Sequence, residues 1–277
     1  RIRNKNSLPE IPSCPLNQTD LYVLGSIAIM AIRLYQNEFA DDACAIRKAI
    51  HNHTKSLMNI PYHQKLVHCL FYLTNRWCKK TLVERKDRID VMVLGDETAI
   101  YDSLLRIPNK DRQFFFRAFP VYGLSIWKLS HSKASRCEKS FRHLISTLSQ
   151  ADHMMLCIGT NDCEYEIPRL IRKLKFSAPK AAIESLVKTY LELIQSIQAL
   201  NPRLKIYIHQ IIPRVTASAP LVYAFNEELS RQVRPPVIFL DKIHFTASRI
   251  RTIKIVHEMM MPDYYYEGLQ CEFLKYI

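Results

Sequence analysis

Short apolar runs rich in β-branched residues recur through the C-terminal two thirds of the chain, each followed by a Gly, Pro or Asp. They are Ile89 to Gly95 (IDVMVLG), His153 to Gly159 (HMMLCIG), Lys205 to Ile212 (KIYIHQII) and Val237 to Leu240 (VIFL). Runs with almost no polar interruption fit strands buried on both faces. Gln113 to Val121 (QFFFRAFPV) reads as a further strand, second in order. The segments between them have helical character. Lys139 to Leu148, Pro179 to Leu200 and Tyr223 to Gln232 are amphipathic, and Ile100 to Arg106 reads as a first helix broken by Pro108. Glu164 to Lys175 is charged and is expected to cover the crevice; His244 to Met261 is also compatible with a helix. Strand and helix therefore alternate, which predicts a parallel sheet.

Before the sheet the period changes to that of helices. Thr19 or Asp20 is expected to cap a first helix, Asp41 or Asp42 to open a second through ACAIRKAI, and His63 to Cys78 to form a third after Pro61. Leu66, Leu70, Leu73 and Trp77 recur at helical spacing and read as a core face. Leu21 to Ile32 is about 12 residues of apolar sequence, short of the roughly 20 that cross a bilayer, so no transmembrane segment is expected. Lys79 to Arg88 (KKTLVERKDR) is a charged connector, which gives a helical extension over 1–88 and a sheet domain over 89–277.

Candidate chemistry lies where the strands end. In open parallel sheets ligands bind beyond the carboxyl ends of the strands, where Gly95-Asp96-Glu97 and Gly159-Thr160-Asn161-Asp162 would both sit. VLGDE followed by CIGTND, with one Gly between them, resembles the SGNH or GDSL-type hydrolases, a superfamily of esterases, lipases and acetyl-ester hydrolases. The likeness covers about Ile89 to Ile277, and Gly-x-Asn-Asp after an apolar strand is its most specific part. It implies a flavodoxin-like three-layer α/β/α sandwich with a parallel sheet of about five strands.

The resemblance also assigns positions. The family's nucleophilic Ser, third in its Gly-Asp-Ser block, corresponds to Glu97. Its oxyanion-binding Gly corresponds to Gly123, and its oxyanion-binding Asn to Asn161. The closing Asp-x-x-His block has two registers. Asp241-Lys242-Ile243-His244 is a literal match that directly ends the last strand, whereas Glu267-Gly268-Leu269-Gln270 precedes what resembles the family's final helix. The chain has five glycines, and Gly95, Gly123, Gly159 and Gly268 fall on motif positions in the second register, which favours it.

These substitutions bear on chemistry. Acyl transfer needs a hydroxyl nucleophile, an imidazole base and oxyanion donors. Carboxylate attack by Glu97 on an ester would give a high-energy anhydride, and Gln270 accepts no proton at neutral pH. The expectation is a pseudoenzyme of the family that binds a ligand, acyl-ester-like or anionic, or a protein partner, with the Glu97 carboxylate as a built-in anion. An active ester hydrolase using Asp241 and His244 with another nucleophile, such as Thr98 or Ser103, is the alternative. The bland reading of Gly-Thr-Asn-Asp is a helix cap through Asn161 or Asp162.

Composition adds a third function class. The formal charge is +13, of which residues 1–88 carry +7, so the excess is spread along the chain. Such charge suits nucleic acid, anionic membrane surfaces or acidic partners, and equally simple solubility. The eight cysteines show no C-x-x-C spacing, and Cys157 lies inside an apolar strand, which points to a reducing, intracellular setting. His51, His53, His63, His68, Cys69 and Cys78 are crowded, but His68 and Cys69 would diverge on a helix, so neither zinc nor any other cofactor is expected.

Overall fold

The computed structural model describes residues 17–36, 40–53, 88–102, 105–109, 112–131, 136–148, 150–213, 216–240, 269, 271 and 273–276. The chain divides into two compact units, Arg1–Glu84 and Arg85–Ile277. In the first, α1 (Gln18–Gln36) and α2 (Ala40–Ala49) lead into a 3₁₀ turn at His51–His53. Asn17, rather than Thr19 or Asp20, caps α1. Its side chain accepts the Asp20 N–H at 3.0 Å while the Asp20 carboxylate accepts the Asn17 N–H at 3.0 Å, a reciprocal box that satisfies two otherwise orphaned donors. The expected third helix at 63–78 lies outside the described residues.

Among the described residues, the second unit is an α/β layer structure on a six-stranded, mostly parallel sheet. Its strands are β1 (Arg88–Gly95), β2 (Arg106–Asn109), β3 (Arg112–Pro120), β4 (His153–Cys157), β5 (Lys205–His209) and β6 (Ile238–Leu240). The spatial order is β2-β3-β1-β4-β5-β6, with β2 alone antiparallel. The helices are α3 (Ile126–His131), α4 (Arg136–Leu148), α5 (Ile167–Arg172), α6 (Pro179–Leu200) and α7 (Ala219–Gln232).

One expectation fails here. Where a helix was expected over Ile100 to Arg106, Glu97–Asp102 is a 3₁₀ turn and Arg106–Asn109 is a strand, which among the described residues makes six strands where about five were expected. The Ala99 N–H bonds to the Asp96 carbonyl at 3.1 Å, which tightens the chain at once, and exposed Pro108 is tolerated because β2 lies at the sheet edge.

Register assigns the two faces. Leu94 pairs with Phe119 on one side and Leu156 on the other, and Leu156 continues to Ile208. That face packs on the helices through Phe141 and Ile145 of α4, Leu186 and Tyr190 of α6, and Val222 and Phe225 of α7. The opposite face carries Phe114, Phe116 and Tyr207, and Phe273 near the C-terminus fits among them with ring centroids 5.4, 5.1 and 4.8 Å away. His153 shares this face, with Nδ1 3.1 Å from the Tyr207 hydroxyl. Burial first, and the Lys205 charge second, lower its pKa, so it favours the neutral ring.

Phe273 is fully buried and far in sequence from the strands it touches. Phe273→Ala is expected to lower the unfolding free energy by about 3–5 kcal/mol, read as a fall in the urea midpoint at constant m-value.

Candidate functional site

The sheet changes direction of growth at β1: the chain passes from β1 outward to β3, then crosses back to β4 on the other side. The turns after these three strands therefore meet at one edge, and the space between them is where crevices form in such sheets. The approach of the strands is close. A Cβ on Gly95 would lie 2.0 Å from the Cys157 carbonyl oxygen, so only glycine fits.

Asp96 ties the first and third of these turns. It is fully buried; Oδ1 accepts the Thr98 N–H at 2.9 Å and the Thr98 hydroxyl at 2.6 Å, and Oδ2 accepts the Thr160 N–H at 3.2 Å. Its own N–H donates to the Cys157 carbonyl at 2.9 Å. The Thr98 hydroxyl thus donates to a buried carboxylate. Ser103 lies outside the described residues.

Glu97 points the other way, toward the turn after β3. Its side chain is buried, and Oε2 accepts both the Gly123 N–H at 3.2 Å and an Asn161 Nδ2 hydrogen at 3.0 Å. Gly123 has φ +71°, a conformation that L side chains rarely adopt, and this aims its N–H inward. Asn161 donates its second Nδ2 hydrogen to the Leu124 carbonyl at 2.8 Å. The flipped amide would set its oxygen against two acceptors, so the pair of bonds fixes which end faces Glu97. Two donors from separate turns thereby converge on one oxygen, the geometry of an anion cradle.

Asp162 holds the floor of the same region. Fully buried, it accepts the N–H of Ile126 at 2.8 Å and of Trp127 at 3.0 Å, while Ser125 Oγ accepts that of Lys128 at 3.2 Å. The first donors of α3 are thereby satisfied from both sides. Gly-Thr-Asn-Asp is then no cap for its own helix: Asn161 and Asp162 serve the neighbouring turn and α3, and the chain continues through a π-helical turn at Asp162–Glu166. Burial chiefly raises the Asp162 pKa, to about 7. The two N–H groups oppose the rise, and the nearby Glu166 and Asp96 charges add to it.

Several contributors carry no sequence signal of their own. Lys128 Nζ donates to the Gly123 carbonyl at 2.9 Å and lies 3.6 Å from Glu166 Oε1, while Arg169 bonds the other Glu166 oxygen, with Nε at 2.8 Å. A small cavity of about 10 Å³, room for about one water, is lined by Thr98, Cys157, Thr160, His209, Gln210, Ile211 and Ile212. His209 ends β5, and a polar residue at the carboxyl end of a parallel strand was the available clue. Asp241, His244, Glu267 and Gln270 all lie outside the described residues. So do His63, His68, Cys69 and Cys78, and the described residues hold no cluster able to bind a metal ion. Cys137, Cys163 and Cys271 are free thiols.

No protein-family model matches the chain, and no curated protein does. Among solved structures it is similar to a lipase from a goat rumen metagenome, at 13% identity and TM-score 0.43, over 68% of this chain and 97% of that one. A carbohydrate esterase family 3 structure from Talaromyces cellulolyticus is similar at 12% identity and TM-score 0.37, over 67% and 94%. An acetyl esterase mutant with acetate ion is similar at 13% identity and TM-score 0.39, over 66% and 93%.

Asp162 makes a prediction about pH. Its folded pKa of about 7 lies above the usual 3.8, so the folded chain binds this proton more tightly than the unfolded one. The associated stability is complete below about pH 4 and is lost as pH rises through about 7. Between pH 5 and 8, Asp162→Asn is expected to lose less stability than the parent in urea unfolding. The difference between the two isolates this group from His153, whose lowered pKa removes stability as pH falls.

Proposed function

We propose that the Arg85–Ile277 unit is an SGNH or GDSL-type hydrolase-like domain, laid out as a flavodoxin-like sandwich, in which hydrolysis has been silenced and a binding role remains. Counted alone, the five parallel strands run 2-1-3-4-5, the order that this layout requires. The observation that carries the reading is the contact of Glu97 Oε2 with the Gly123 N–H and the Asn161 amide. In the family those two donors face the oxyanion that forms on the acyl group. Here a carboxylate from the nucleophile's own position satisfies them.

Two effects follow for chemistry. No hydroxyl stands at position 97, and the donors that would stabilise a developing negative charge already hold a carboxyl oxygen. A substrate carbonyl would have to displace a buried, doubly hydrogen-bonded carboxylate, and the loss of charge-assisted bonds opposes that exchange. The domain therefore acts through what it binds, an anionic or acyl-ester-like ligand or a protein partner, rather than through turnover.

The test separates silencing from activity. The parent protein is expected to hydrolyse no short acyl ester and to take no fluorophosphonate label. Glu97→Ala takes this acceptor from the part-buried Gly123 N–H and the buried Asn161 amide, at a cost of about 1–3 kcal/mol, and millimolar acetate should recover part of its melting temperature without moving that of the parent. Glu97→Ser combined with Gln270→His is expected to gain measurable esterase activity. Ester turnover by the parent, with label on any Ser or Thr near Gly95, would refute the proposal.

A further inference from the structure

The turn after α5 adopts a conformation that glycine ordinarily supplies. The Lys175 N–H donates to the Leu170 carbonyl at 3.0 Å and the Leu174 N–H to the Ile171 carbonyl at 2.9 Å. This pair of bonds makes a Schellman cap, whose residue after the helix end takes left-handed backbone and is usually Gly. That residue here is Leu174, at φ +53°, and no other non-glycine residue among those described has a positive φ. Packing does not compensate. Leu174 is 90% exposed, the most of any large apolar residue described.

The surroundings are cationic. From 167 to 183 the sequence holds Arg169, Arg172, Lys173, Lys175 and Lys180 and no acidic residue. Arg169 pairs with Glu166, and Lys180 reaches Glu184 at 4.0 Å. Arg172, Lys173 and Lys175 are exposed and pair with no carboxylate of the described residues. The base of the turn is fixed, since Phe176 packs edge-on to Trp127 of α3 with centroids 6.1 Å apart. A rigid cap thus holds one apolar side chain outward among cations that pair with no carboxylate of the described residues.

We propose that this turn is a contact site for an anionic lipid surface, with Leu174 entering the acyl boundary while Arg172, Lys173 and Lys175 meet the headgroup phosphates. The layering decides the class of partner. A bilayer offers apolar interior directly beneath negative charge, in the same order as the side chains. A nucleic acid would satisfy the cations but not Leu174, which has no flat face on which a base can stack.

The experiment cosediments the full chain with vesicles of phosphatidylcholine alone or with about 30% phosphatidylserine. Binding to the anionic vesicles, weakened by salt and at least tenfold poorer to the neutral ones, is expected. Leu174→Gly suits the left-handed backbone, so it should melt no lower than the parent, yet bind the anionic vesicles about tenfold more weakly. Lys173→Gln with Lys175→Gln should weaken binding about twentyfold. Failure of the parent to bind anionic vesicles overturns the proposal, as does unchanged affinity in Leu174→Gly. A random-sequence oligonucleotide that binds through the two lysines, in a protein that ignores vesicles, assigns the turn to nucleic acid instead.

Discussion

Three carboxylates, Asp96, Glu97 and Asp162, are buried together at the carboxyl edge of the sheet, and N–H donors from neighbouring turns keep them there. Charge in a dry environment is tolerated only where hydrogen bonds replace the lost water. Each carboxylate takes its donors from a different piece of chain: Asp96 from Thr98 and Thr160, Glu97 from Gly123 and Asn161, Asp162 from Ile126 and Trp127. The turns after β1, β3 and β4 and the start of α3 are therefore cross-tied. Their positions are set by where the oxygens are.

That arrangement explains why the site is both well defined and closed. Donors convergent on one oxygen are what a transition-state anion requires, and their preorganisation normally leaves them waiting for substrate. Here the same preorganisation is maintained by an internal group. Removing Glu97 would expose the donors' unmet demand as lost stability, so the residue has a structural part.

The strands were readable because burial on both faces leaves an apolar run that little else in a soluble chain produces; β1, β3, β4 and β5 lie within two or three residues of those runs. β2 was not, since four residues containing a proline carry no period. The α1 cap escaped because Asn17 acts through a partner three residues on. At the site, Gly123 announces itself in a chain with five glycines, and Asn161 through its motif. Asp162 does not: its partners sit 35 and 36 residues earlier, a distance only the fold can close. Leu174 is the opposite case, an ordinary residue made unusual solely by its backbone angle.

The outer strands of the sheet have a separate consequence. Among the described residues, one border is the four-residue β2, with Pro108 lacking a donor, and the other is the three-residue β6. A long, regular border would offer a template on which strands of a second molecule could add, and apolar strands such as QFFFRAF would make that addition hard to reverse. Stubby margins deny such templating its starting length. With +13 of like charge on every copy, the chain can keep its aromatic-rich interior strands without inviting fibril-like stacking.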